Sequence, residues 1–86
     1  MGMSTVLIRV VNIPGVHVVD RITVSGGDYI KVEPPGVSVT MNLVYLDMTT
    51  DTITVQGTVQ LSKKVARIVI PESEKNKFFI IEVGKL

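Results

Sequence analysis

Thirty-three of the 86 residues are Val, Ile or Thr, and Ala66 is the only alanine. That imbalance narrows the fold more than any other feature. A β-branched side chain loses χ1 freedom against the preceding turn of a helix, but it fits well on a pleated strand. The best helix former is almost missing. No segment shows an apolar period of 3.6 residues. The chain is therefore expected to be all-β.

Turn residues divide it into about seven strands. The first runs from Thr5 to Ile13 and ends at Pro14-Gly15; the second runs from Val16 to Val24. Gly26-Gly27 reads as a two-residue hairpin. Tyr29 to Glu33 is closed by Pro34-Pro35-Gly36. Val37 to about Met48 is turned by Thr49-Thr50-Asp51, and Thr52 to Leu61 by Ser62-Lys63-Lys64. Val65 to Ile70 follows. Pro71 to Lys77 is a polar loop with room for one helical turn after Pro71. Phe78 to Val83 is the last strand, and residues 84–86 form a short tail.

Parallel neighbours need crossovers of a dozen or more residues, and these connections are short. The expected fold is a single antiparallel domain over residues 1–86, mostly a meander, closing as a small barrel or a two-layer sandwich. The segment 52–61 alternates cleanly. Ile53, Val55, Gly57, Val59 and Leu61 share one face, and Thr52, Thr54, Gln56, Thr58 and Gln60 the other. Gly57, on the apolar face, marks a bulge or a close backbone approach.

Small domains bury little and lean on disulfides, metals or assembly. The chain has no cysteine, and His17 is its one histidine, so neither a disulfide nor a zinc site is expected. Apolar residues still make up 45% of it. Val6, Ile8 and Val10 share segments with aliphatic neighbours on the opposite face. So do Val44, Leu46 and Met48, and so do Phe79 and Ile81. Strands apolar on both sides need cover on both. These eight residues are the candidate interface of a homo-oligomer.

The net charge of +1 names no partner, but its distribution is uneven. Residues 1–62 carry three basic and five acidic side chains; residues 63–86 carry six and three. Lys63, Lys64, Arg67, Lys75 and Lys77 in the basic end are candidate phosphate contacts for a nucleic acid, although placing them at opposite ends of one strand would separate them. Phe78, Phe79, Tyr29 and Tyr45 are the only aromatic residues available for stacking. The sequence has neither a signal-peptide pattern nor an apolar run long enough for a membrane helix, and too few strands and aromatics for a membrane barrel. A cytoplasmic location is expected. The lack of cysteine and the few Asn and Gln suit a thermophile, with four Met against this.

Catalytic vocabulary is sparse. His17 lies near Asp20 and Ser25, without a nucleophile-elbow motif. Asp20 falls in phase with Val16, Val18, Ile22 and Val24, a costly place for a carboxylate unless a bulge turns it to water. Ser25-Gly26-Gly27-Asp28 lies between strands, whereas a phosphate loop opens a helix. No calcium-loop spacing occurs.

Two segments resemble known families. Met41-Asn42-Leu43-Val44 followed by Asp47 is similar to the end of the first motif of Sm-like RNA-binding rings. The second motif's arginine-glycine pair is replaced at best by Gln56-Gly57, and the N-terminal helix is missing. Gly27 to Glu33 resembles the closing strand of AbrB-type swapped-hairpin DNA-binding domains, without the helix that should precede it. Neither resemblance transfers a site. The sequence points to a non-enzymatic assembly module acting as a homo-oligomer, with a nucleic-acid-binding β protein as the alternative. No cofactor, metal or small-molecule substrate is expected.

Overall fold

The computed structural model describes residues 8–14 and 21–84. Residues 16–20 of the predicted strand Val16 to Val24, with His17 and Asp20, lie outside them, as do Val6 and the tail residues 85–86. Six strands form one antiparallel sheet: β1 (Ile8–Asn12), β2 (Arg21–Glu33), β3 (Ser38–Tyr45), β4 (Thr50–Gln56), β5 (Thr58–Val69) and β6 (Phe79–Gly84). A single 3-10 turn, Glu72–Glu74, sits between β5 and β6, where the sequence allowed one helical turn after Pro71.

The all-β class and antiparallel pairing agree with expectation. The meander does not. The strand order is β1-β6-β2-β5-β3-β4, so only β3 and β4 are neighbours both in sequence and in space. The sheet is open among the described residues: no ladder joins β1 to β4. β2 also touches β4, where its end runs beside the β4–β5 junction: Lys31 pairs with Thr58, and the Val32 amide bonds to the Gly57 carbonyl.

Two predicted turns are absent. The chain runs straight through Gly26-Gly27 inside β2, and through Ser62-Lys63-Lys64 inside β5. Both places are irregular instead. The β2–β5 pairing slips between Thr23 and Gly27 and again between Gly27 and Tyr29, while four residues of β5, 61–64, lie between the partners Gln60 and Val65. Extra residues in a ladder bend a strand and increase its twist. Here they let two long strands curl around a common interior. Gly27 occupies the tightest point, where an added Cβ would stand 2.6 Å from Val83 Cγ1 and 3.3 Å from Val65 Cγ1.

The real break falls at Gly57, whose φ of +77° is a left-handed conformation that glycine adopts without strain. It separates β4 from β5, and its carbonyl accepts the Val32 amide at 2.8 Å. The predicted alternation survives this corner: Val55 is buried, Ile53, Val59 and Leu61 pack against the core, and the Thr and Gln positions are exposed.

The β3–β4 turn also comes earlier than predicted. Met48 N–H bonds to Tyr45 O at 2.9 Å, and Tyr45 N–H to Thr49 O at 2.9 Å, leaving Leu46 to Met48 as a three-residue loop. Leu46 and Met48 are exposed because they are loop residues, not one face of a strand.

The interior holds Ile22, Val24, Ile30, Val32, Val39, Met41, Leu43, Tyr45, Val55, Val65, Ile68, Ile70, Phe79, Ile81 and Val83. Phe79 and Ile81, expected at an interface, are 1% and 0% exposed. Their register settles this: Val10 pairs with Ile81 and Asn12 with Phe79, and these face inward along with Ile30 and Val32 of β2. The outward residues of this strand end are Phe78, Ile80 and Glu82. Val10 is half-buried against the core, and Val44 is half-buried on the opposite, outer face of β3.

Candidate functional site

The five basic candidates do not converge. Lys63 sits in the irregular part of β5 beside the β3–β4 loop. Its ammonium meets Asp47 at 3.3 Å and Thr49 Oγ1 at 3.1 Å, and it lies 5.1 Å from the Tyr45 ring centroid. The Thr49 hydroxyl and amide, followed by Lys63, hold the Asp47 carboxyl below its usual value. Burial, followed by the nearby charge of Asp51, pushes the Tyr45 hydroxyl up. Lys63 is thus a clamp on the loop. Lys64 is exposed, and its carbonyl accepts the Leu46 amide at 3.0 Å.

Lys75 and Lys77 belong to the β5–β6 connection. Lys75 pairs with Glu72 at 3.1 Å. Lys77 pairs with Glu74 at 2.9 Å and reaches the Ser38 carbonyl at 3.2 Å. Ser38 and Tyr45 are the two ends of β3, seven residue steps and about 23 Å apart at the usual strand rise. Lys63 and Lys77 therefore work at opposite ends of that strand.

Glu74 is the residue that sequence reasoning missed. It is 5% exposed. Along β5 the pairing with β3 ends at Asn42↔Val69, and two steps further Pro71 would face Thr40. Proline cannot continue a ladder as a donor. The chain turns away, and the Glu74 carboxylate accepts the Thr40 amide at 2.9 Å in place of a strand carbonyl. Burial alone would raise the Glu74 carboxyl. Lys77, the Thr40 amide and the Ser73 hydroxyl outweigh it and hold the group below its ordinary value. Only the acidic residue after a proline hinted at this role in sequence.

The outer side of β1, β6 and β2 is divided. One half is charged. Arg9 pairs with Glu33 at 3.0 Å, Lys31 with Glu33 at 3.2 Å, and Tyr29 Oη donates to Glu82 at 3.4 Å. Hydrogen bonds from Lys31, then Arg9, hold the Glu33 carboxyl down. The other half is apolar. Val11 pairs with Ile80, and Ile13 and Phe78 follow just past the last pair, Asn12↔Phe79. Val11, Ile13 and Phe78 are 46%, 48% and 47% exposed. The sequence contained the signal in Phe78-Phe79-Ile80-Ile81, but not which parity faces out. Beneath this row, Asn12 is buried, and its Nδ2 donates to the Lys77 carbonyl.

Among the described residues there is no cavity and no cluster of side chains able to hold a metal ion. None of their helices is long and apolar enough to cross a membrane. No family model, curated protein or solved structure matches the chain.

Proposed function

We propose that this chain is a non-enzymatic assembly module that pairs with a second copy of itself through the outer face of β1 and β6. One observation carries the reading: Val11, Ile13 and Phe78, with the half-buried Ile80 among them, form a contiguous apolar row on the edge pair of the sheet. Single exposed apolar residues are ordinary, whereas a contiguous row marks an interaction surface. Arg9, Lys31, Glu33 and Glu82 rim it with both charge signs. A two-fold contact sets the same patch against itself, so a rim of mixed sign meets opposite charges. Leu46 and Met48, on the distant loop, lie outside this surface.

Two-layer packing is the closure favoured for the single chain. The absence of a ladder between β1 and β4 among the described residues supports it over a barrel.

Sedimentation equilibrium at tens of micromolar tests the assembly. The expected mass is twice 9.4 kDa, falling to the monomer in Val11→Lys with Phe78→Lys. A wild-type monomer overturns the reading. A dimer indifferent to both substitutions removes it from this face.

A further inference from the structure

The outer face of β2, β5, β3 and β4 is different in kind from the apolar row. In register across it run Arg21, Val69, Asn42 and Thr52, and beside them Thr23, Arg67, Val44 and Thr50. Every polar group in these rows is a hydrogen-bonding neutral or an arginine. Among the described residues no carboxylate pairs with Arg21 or Arg67.

The two arginines are diagonal neighbours on adjacent antiparallel strands. That geometry sets their Cβ atoms about 7 Å apart, within mutual reach of such long side chains. Like charges held this close without a counter-ion favour an anion between them. Arg67 is half-buried between Thr23 and Val44, and its Nε is sealed from water without an acceptor. Its donors are therefore not taken up within the protein, and a guanidinium in that state can bind a phosphate fork-wise. Asn42 Oδ1 accepts from Thr52 Oγ1 at 2.9 Å, which leaves the Asn42 amide nitrogen as a donor on the same face.

We propose that this face binds the phosphate backbone of a nucleic-acid strand, with Arg21 and Arg67 as the phosphate contacts and Thr23 and Asn42 as neutral donors. The surface is an open strip four strands wide, about 14 Å at the usual strand spacing. Such a strip suits an extended polyanion better than an enclosed small anion. None of the residues in the two rows is aromatic, so recognition runs through phosphates rather than stacked bases and is independent of base sequence. The two surfaces share only β2, which gives Arg21 and Thr23 from its start to this site and Lys31 and Glu33 from its end to the rim of the self-association surface, and either proposal can fail alone.

Fluorescence anisotropy with a labelled oligothymidylate and a labelled duplex, between about 50 and 200 mM salt, tests this. The wild-type chain is expected to bind, with an affinity that falls steeply as salt rises. Arg21→Ala with Arg67→Lys should weaken binding about tenfold or more and flatten the salt slope. Arg67→Lys keeps the packed stem, and a thermal melt confirms that the variant is folded. Lys75→Ala removes a charge in the β5–β6 connection, outside both surfaces, and should leave affinity nearly unchanged. The proposal is overturned by a wild type that fails to bind at the lowest salt. It is equally overturned by a double variant that binds as well, or by a Lys75 variant that loses as much. Equal affinity for heparin overturns the assignment to nucleic acid.

Discussion

The Glu74 carboxylate accepts the Thr40 backbone amide at 2.9 Å, standing where the next residue of β5 would have stood. One side chain thereby ends a ladder and anchors the connection to β6, since the same oxygen also takes Lys77 at 2.9 Å. A buried carboxylate is tolerated there because its donors are supplied by the backbone and by a paired lysine.

Glu74→Ala should destabilise the fold by about 1–3 kcal/mol, because it strands the Thr40 amide, while Lys77 keeps water and the Ser38 carbonyl. The folded-state pKa of Glu74 is lowered, so its contribution is present above the unfolded value, near 4.3, and disappears as the pH drops through the folded value. Urea unfolding from pH 7 to pH 3 should show a steeper acid loss for the wild type than for Glu74→Gln. Identical pH profiles would remove the carboxylate from this role.

Met48 holds a φ of 71° in the β3–β4 loop, a left-handed conformation, and its side chain is 82% exposed. A side chain with a Cβ is strained there by about 1–2 kcal/mol, against a smaller entropic cost for glycine. Met48→Gly should therefore raise stability by about 0.5–1 kcal/mol, read as a higher melting temperature. Met48→Ala, which keeps the Cβ, should bring no such gain.

Gly27→Ala should cost about 1–3 kcal/mol, since its new methyl would meet Val83 Cγ1 at 2.6 Å. Val83→Ala opens space at that point. In a double-mutant cycle the two changes should couple favourably by at least about 0.5 kcal/mol. Strict additivity in chemical unfolding would place the strain elsewhere.

Phe78 and Phe79 are adjacent in sequence and opposite in environment. Phe79→Ala should cost about 3–5 kcal/mol through the cavity it leaves. Phe78→Ala should change monomer stability by less than about 1 kcal/mol. Unfolding at concentrations low enough to keep the chain monomeric measures both. Equal losses would contradict the parity assigned to β6.

Much of this chain could be read locally. Thr52 to Gln56 and Thr58 to Gln60 alternate as a strand with one wet face because side-chain period is a local property of the backbone. The excess of Val, Ile and Thr determined the all-β class for the same reason, and Glu72–Glu74 turns where Pro71 stops a strand. Other features depended on contacts distant in sequence. Gly26-Gly27 has the composition of a hairpin, yet β2 continues through it because Val65 and Val83 press on Gly27 from either side. Phe79 rather than Phe78 faces the core because β1 and β2 flank β6 in one register, and a slip of one residue would exchange the two faces.

Strand order, too, belongs to the tertiary structure. Short connections suggested a meander, but β1 pairs with β6 and β2 with β5, contacts whose value depends on burying a common core rather than on any turn between them. The same long-range pairing sets Arg21 beside Arg67 and separates Lys63 from Lys77. The sequence by itself determined which residues favour strands and how their side chains alternate, since both follow from single residues and their neighbours. Only the tertiary structure decided which strands meet, which parity is buried and which charges share a face, because these depend on register between distant segments.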